Sequence, residues 1–373
     1  MAREGGKLLS IEGKRPDPVI FGAAIALLVI GLVIVFSASY STGIRDFGDP
    51  YHYIKRQLLW AAISIGVMVA AQRIDYHVWR PLALPGVAVS LVLLVLVLAI
   101  GREAGGSRAW IDLGILGFQP SEVTKLAVIN FTAAFIAFRR DGMRRFWSGL
   151  VPPLGLLALV FGLIMLQPDF GTGVTIVGAV VIMLFASGAH LGQLIGIGLS
   201  GVPLLAYMIY QEPYRLRRIT SFIDPWKDPL DSGWNIIQSL LAIGSGGLFG
   251  LGLGQGRQKF SYLPEQHTDF IFSILGEELG FLGTSLVIAL FFALAWRGFR
   301  IALGAPDLYG SMLAVGITSI IVFQAMLNIG VATGSLPVTG VTLPFLSVGG
   351  TSLLVTFAGL GILLNISKSA GSE

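Results

Sequence analysis

Cysteine is absent from all 373 residues, so neither a disulfide nor a thiolate metal site can form. An extracytoplasmic face would need no oxidative staple; that fits many compartments and decides none. Charge is also scarce: Asp, Glu, Lys and Arg make up 12% of the chain, against about a quarter in soluble domains. Histidine occurs four times, and His267 has no His or Cys neighbour, so no zinc signature is present. The formal charge is +4, but the basic residues are scattered in short segments between apolar runs. That excludes a nucleic-acid-binding face. No repeat of fixed period and no second polar domain emerge.

What the chain has is apolar length. Hydrophobic residues make up 54% of it, mean hydropathy is +0.79, and the apolar runs reach roughly 17–25 residues, enough to cross a bilayer as helices. The expected fold is an all-α integral membrane protein of about ten transmembrane helices, near 18–40, 54–72, 82–101, 120–138, 149–166, 172–187, 190–210, 269–297, 308–332 and 346–366. Residues 1–17 form a polar, basic segment. A signal peptide is the competing reading, but the apolar core from Val19 to Phe36 is long for one and many spans follow.

Charge placement gives the orientation. With the N-terminus cytoplasmic, that side receives Arg73, Arg80, the cluster Arg139, Arg140, Arg144 and Arg145, then Arg297, Arg300 and Lys368. The opposite short loops hold only Arg45, Arg102 and Arg108. Both termini are therefore expected in the cytoplasm. The chain divides into a basic segment (1–17), one membrane domain (18–367) and a short cytoplasmic tail (368–373). The one long loop, 211–268, falls on the extracytoplasmic side. Trp226, Trp234, Phe249, Phe260 and Tyr262 are spaced anchors in it, and Trp234–Ile243 has the spacing of a short amphipathic helix lying at the interface. The run GSGGLFGLGLGQG lacks the Gly-Lys-Ser/Thr ending of a phosphate loop and is expected to form a tight loop of close backbone approach.

The chemistry concentrates between Gly256 and Gly283, GRQKFSYLPEQHTDFIFSILGEELGFLG, where a polar connection becomes a membrane helix. Asp269 falls at the boundary. It is either a first-turn acid favoured by the helix dipole, with Thr268 capping, or a partly desolvated general base. Glu277 lies about 12 Å deeper, where an ionisable group is paired or faces a polar cavity. Glu122 and Lys125, three apart in FQPSEVTKLAVINF, share a helix face and either neutralise each other or line a cavity. Arg56 and Asp169 are candidates for an ion pair across helices. Arg215, Arg217 and Arg218 are solvated or hold a lipid phosphate or pyrophosphate, and His267 defaults to a hydrogen-bonded loop histidine.

Five segments in order, FQPSEVTKLA, PYRLRRITSFIDPWKDP, GWNIIQSLLAIGSGGLFGLGLGQGRQK, YLPEQHTDFIFSILGEELG and NIGVATGSLPVTGVTLPFLSVGGTSLL, resemble the shape, elongation, division and sporulation family of the bacterial cytoplasmic membrane. The form GLGQGRQKFSYLPE is closer to its division branch than to its elongation branch. The resemblance implies a ten-helix peptidoglycan glycosyltransferase acting on lipid II, the undecaprenyl-pyrophosphate-linked disaccharide peptide. It places the family's essential acid on Asp269 and its intramembrane acid and lysine on Glu122 and Lys125. Departures are small: Val-Thr stands between Glu122 and Lys125, and Val348 stands where the family commonly has an aromatic. The implied partners are a class B penicillin-binding transpeptidase and other division or elongation membrane proteins, with no nucleic acid. Lys125, the arginine cluster or a divalent cation (Mg or Mn) would stabilise the leaving pyrophosphate. A lipid II flippase and a structural recruiter of the transpeptidase are the alternatives. Glu122, Lys125, Arg56, Asp169 and Asp269 all map to one half of the membrane, which favours catalysis there.

Overall fold

The computed structural model describes residues 15–104, 107–112, 117–211, 213–259 and 263–370. Phe260 and Tyr262, expected as anchors, lie outside the described residues, as do most of the basic N-terminal segment and residues 371–373. Among the described residues eight helices are long and apolar enough to span a membrane. They are α1 (Pro18–Phe47), α2 (His52–Arg73), α3 (Ala83–Ile100), α4 (Pro120–Phe138), the run Phe146–Met165 that contains α5 (Val151–Met165), α10 (Ile271–Leu303), α11 (Leu308–Ala332) and α12 (Gly350–Ser369). Two further apolar helices, α6 (Phe170–Ala186) and α7 (Leu191–Gln211), fall at the sixth and seventh expected spans. The protein is an all-α multi-pass membrane protein.

Helices α11 and α12 form the buried centre, and α3 turns Val89, Val92 and Val95 outward, as a lipid-facing wall does. At the end holding the chain termini, Asp17 caps α1 by accepting from the amides of Val19 and Ile20. Its carboxylate also takes Arg297 of α10, Nε to Oδ2 at 2.8 Å, and its backbone N–H reaches Ser367 of α12. The first helix is thus pinned to the third-last and the last.

The opposite end carries two departures from the expected layout. Residues 102–118 form three short antiparallel strands, β1 (Arg102–Ala104), β2 (Ser107–Asp112) and β3 (Gly117–Phe118), with Arg102 opposite Trp110 and Ile111 opposite Phe118. The long loop holds two helices rather than one: α8 (Pro213–Ile223) and α9 (Trp234–Gly246). Helix α9 is amphipathic, with Leu240 and Leu241 exposed on its outer face. It packs into the protein with Ile236, Ile237, Ser239 and Ala242 buried, because small residues face each other: Ser239 Oγ lies 2.5 Å from Ser273 Oγ and donates to the Ala332 carbonyl at 2.6 Å.

The glycine-rich run keeps most of its side chains exposed while its backbone pairs with a broken helix. Helix α10 breaks at Gly280 (φ 65°, ψ −162°), and the run enters the break. Leu251 and Gly252 donate to the carbonyls of Glu277 and Glu278, while Phe281 and Leu282 donate to those of Gly247 and Leu248. Gly280 is eleven residues beyond Asp269, about 16 Å along a helix. Backbone at that depth is tolerated where protein satisfies its polar groups, and this pairing does so. The expected close backbone approach is present, and it is made to the interior of a membrane-spanning helix.

Candidate active site

At the end opposite the chain termini, a cavity of about 460 Å³ opens between β2, α4, α6, α8, α9, α11, α12 and the segment just before α10. Asp269, Glu122, Lys125, Asp169, Arg218 and Glu265 all line it. Asp269 stands just before α10, whose first residue is Ile271, so it is not a first-turn acid. Nor does Thr268 cap the helix: its hydroxyl donates to Glu265 Oε2 at 2.9 Å. Asp269 is held through its backbone instead. Asn328 of α11 donates to its carbonyl at 2.8 Å and to that of Val341 at 2.7 Å, Ser347 Oγ donates to the Thr268 carbonyl at 2.6 Å, and Val348 N donates to the His267 carbonyl at 2.9 Å.

The Asp269 side chain is partly exposed into the cavity. Burial raises its pKa, the negative charge of Glu265 adds to the effect, and Arg218 opposes it; the carboxyl is pushed up to about 7. A carboxyl at that value is largely ionised just above neutral pH and basic enough to take a proton from a hydroxyl. Glu265 itself holds a left-handed backbone (φ 50°), uncommon for a residue with a side chain.

Glu122 and Lys125 are both pair and cavity wall. Lys125 Nζ lies 2.7 Å from Glu122 Oε1 and 2.8 Å from Gln324 Oε1, and each charged side chain is nearly buried. Gln324 is fixed in turn by donating to the Thr342 carbonyl at 3.0 Å. Lys125→Met would leave Glu122 as a buried charge without its cation, a loss of about 3 kcal/mol. We expect a lower unfolding midpoint in detergent for this variant, largely restored by adding Glu122→Gln; a single variant as stable as the parent would contradict the pairing.

Asp169 caps α6 by accepting from the Thr172 amide at 3.1 Å, and its other oxygen takes Gln119 Nε2 at 3.2 Å and Ser121 Oγ at 3.5 Å. These bonds stand where a bridge to Arg56 was expected; Arg56 is exposed on the first turn of α2. Of the arginine cluster, Arg218 reaches the cavity and donates to the Val338 carbonyl at 3.3 Å, Arg217 is exposed, and the side chain of Arg215 lies outside the described residues. His267 lies behind the cavity, its ring 4.8 Å from that of Tyr53, and burial holds its imidazole below the ordinary histidine range. Glu277 does not reach the cavity; it accepts from the amides of Arg257 and Gln258.

Three contributors lie outside the residues that motif and charge single out. Gln324 and Asn328 are polar residues one helical turn apart in the otherwise apolar α11, a visible signal of a shared polar face. Trp110 lines the cavity from β2, a strand that a sequence of few alternating residues does not announce. Among the described residues no group of three or more His, Cys, Asp or Glu side chains is placed to hold a metal ion. A divalent cation would have to draw most of its ligands from substrate, so no step is routed through one.

A polytopic helical membrane protein with a charged cavity of substrate size at one end of the bundle is the class this geometry defines. The chain belongs to the cell cycle protein family of FtsW, RodA and SpoVE, which matches residues 18–371. It is 50% identical over 355 residues to stage V sporulation protein E of Bacillus subtilis, covering 95% of this chain and 97% of that one. A protein of Trichlorobacter lovleyi named probable peptidoglycan glycosyltransferase FtsW is 44% identical, with 94% and 93% covered. Among solved structures, the rod shape determining protein RodA of Thermus thermophilus superposes with a TM-score of 0.70 at 31% identity, covering 99% of this chain and all of that one. A chain from a peptidoglycan synthase complex that coordinates polymerization and crosslinking superposes at 0.79 with 32% identity, covering 96% and 99%.

Proposed function

We infer that this protein is a peptidoglycan glycosyltransferase that polymerises lipid II, with Asp269 as general base. The observation that carries this reading is a partly desolvated carboxyl, poised near neutrality, on the wall of a cavity that also presents Lys125 and Arg218. Asp269 takes the proton of the acceptor 4-hydroxyl as its oxygen bonds C1 of the donor sugar. The bond from C1 to the pyrophosphate oxygen breaks with inversion, and undecaprenyl pyrophosphate leaves with the bonding electrons. The positive potential of Lys125 and Arg218 favours the charge that develops on the leaving group. The isoprenoid tails stay in the bilayer while the sugars meet in the cavity.

The bias of Lys and Arg supports a cytoplasmic position for both termini and an extracytoplasmic cavity. Likeness to a chain of a synthase complex supports a class B penicillin-binding transpeptidase as partner. The FtsW and stage V relatives support a division or sporulation duty.

The test is glycan-strand formation from purified lipid II by the protein alone and with its cognate transpeptidase, with divalent cation present and then chelated. Polymer is expected. No polymer under any condition, with lipid II crossing liposome membranes instead, would replace this reading with a flippase. Because the base must be ionised, turnover at saturating substrate is expected to fall about tenfold per pH unit below about 7 and to level off above it. A flat profile from pH 5 to 8 would remove Asp269 as the base.

A further inference from the structure

The reaction leaves one buried charged group unused. Lys259, Glu277 and Glu278 are each less than a tenth exposed and lie beside the break in α10, at a depth where ionised side chains are costly. Their bonds show what they hold. Glu277 accepts from the amides of Arg257 and Gln258, at 2.6 and 3.3 Å. Glu278 Oε1 takes Lys259 Nζ at 2.8 Å and the Ser37 hydroxyl of α1 at 2.6 Å, and Lys259 Nζ also reaches Ser37 at 2.9 Å. Glu278 Oε2 is buried with no hydrogen-bond partner among the described residues, so this carboxylate depends on its other oxygen.

The described residues 263–268 of the chain that follows lead into the site. Between Lys259 and Asp269 the chain is fastened to α1 twice more: Ser41 Oγ donates to the Lys259 carbonyl at 2.8 Å, and Gln266 Nε2 donates to the Ala38 carbonyl at 2.8 Å. Asp269 therefore hangs from two supports. One is α11 and the segment after it, through Asn328 and Ser347; the other is α1 and the broken α10, through the Lys259–Glu278 pair.

We propose that Lys259 and Glu278 are positioning residues for the glycosyl transfer: their ion pair anchors the segment leading into Asp269 to α1 and α10, and so fixes the base relative to the cavity. The proposal rests on the reading of Asp269 as base. A pair that served only to cancel charge would be replaceable by two neutral residues; an anchor would not, because apolar side chains lose the bonds to Ser37.

The experiment uses the full-length protein, whose lack of cysteine allows a single nitroxide label at Gln255→Cys, an exposed position in the anchored run. Glu278→Leu and the double variant Lys259→Met with Glu278→Leu are compared with the labelled parent. Both are expected to show a more mobile label and a kcat at least tenfold lower, with KM within twofold and the pH midpoint of the parent. In the double variant the unfolding midpoint is expected to return towards the parent value while kcat stays low. Parent kcat with an immobile label in either variant would overturn the proposal, as would a double variant that recovers both stability and kcat. Should Asp269→Asn retain activity, the base assignment fails, whereas the label still reports whether the anchor exists.

Discussion

Asp269→Asn is expected to reduce lipid II polymerisation by roughly 10²–10⁴-fold, the usual contribution of a positioned general base. Asparagine keeps the size of the side chain but cannot take the acceptor proton. The four backbone contacts around it, from Asn328, Ser347 and Val348, involve main-chain carbonyls and survive the change. The variant is also expected to be at least as stable as the parent. The Asp269 carboxyl is pushed up to about 7 in the folded protein, above the ordinary aspartate value of about 3.9. Its ionised form therefore costs stability progressively as pH rises between those values. Asparagine removes that cost, so the gap in unfolding midpoint between variant and parent is expected to widen from pH 5 to pH 8. Full polymerisation by a normally expressed variant would show that the proton goes elsewhere, and a variant that unfolds more easily at pH 8 would show that the carboxylate is a structural acceptor.

Gly280→Val is expected to prevent assembly of the site altogether. Its backbone (φ 65°, ψ −162°) lies in a region open almost only to glycine, and a β-carbon there would stand 2.8 Å from the Leu248 carbonyl and closer still to the Gly250 nitrogen. Strain alone contributes about 1–3 kcal/mol. The larger effect is that the glycine-rich run cannot seat, which strips partners from four backbone pairs inside the membrane, each worth several kcal/mol if left unmet. Little monodisperse protein should be recovered from detergent. Gly22→Val is the matched control, since that helical glycine of α1 has open space around it. A Gly280→Val protein that elutes and polymerises like the Gly22→Val protein would contradict the pairing of loop and broken helix.

Most of the membrane architecture was legible because length and hydropathy are sufficient to mark a span. Each expected apolar run from Val19 to Ile366 has a helix at its position, and the Glu122–Lys125 pair followed from spacing alone. The pairing of the glycine-rich run with the broken helix was not legible, because hydropathy reports how much a segment favours lipid and says nothing of a break that another segment fills. Gly280 looked like one more glycine in an apolar helix; only its pairing with Gly247–Gly252 gives it a role. Helix α9 was legible from its apolar spacing, whereas the protein groove that receives its inner face was not, since an apolar face fits a bilayer interface and a protein groove equally well. Asp169 was assigned to a bridge with Arg56, whereas short-range partners on α4 and α6 claim it. Choices of that kind depend on which helices are neighbours, and periodicity within one helix does not record them.

The fastening of Asp17 to Arg297 and Ser367 bears on the order in which the protein can be made. Ribosomes deliver α1 first, yet its partners lie 280 and 350 residues later in the chain, so the earliest helix to enter the bilayer completes its contacts only when translation is nearly finished. Until residues 259–278 emerge, the polar positions of α1 that meet Lys259, Gln266 and Glu278 have no native counterpart. Closure of the bundle is in this sense a terminal event of biogenesis, and it belongs to the slow, long-range class of folding steps. A nascent chain stalled before α12 would hold every residue that lines the cavity from α4 to α11 and still lack one of the two helices at the buried centre.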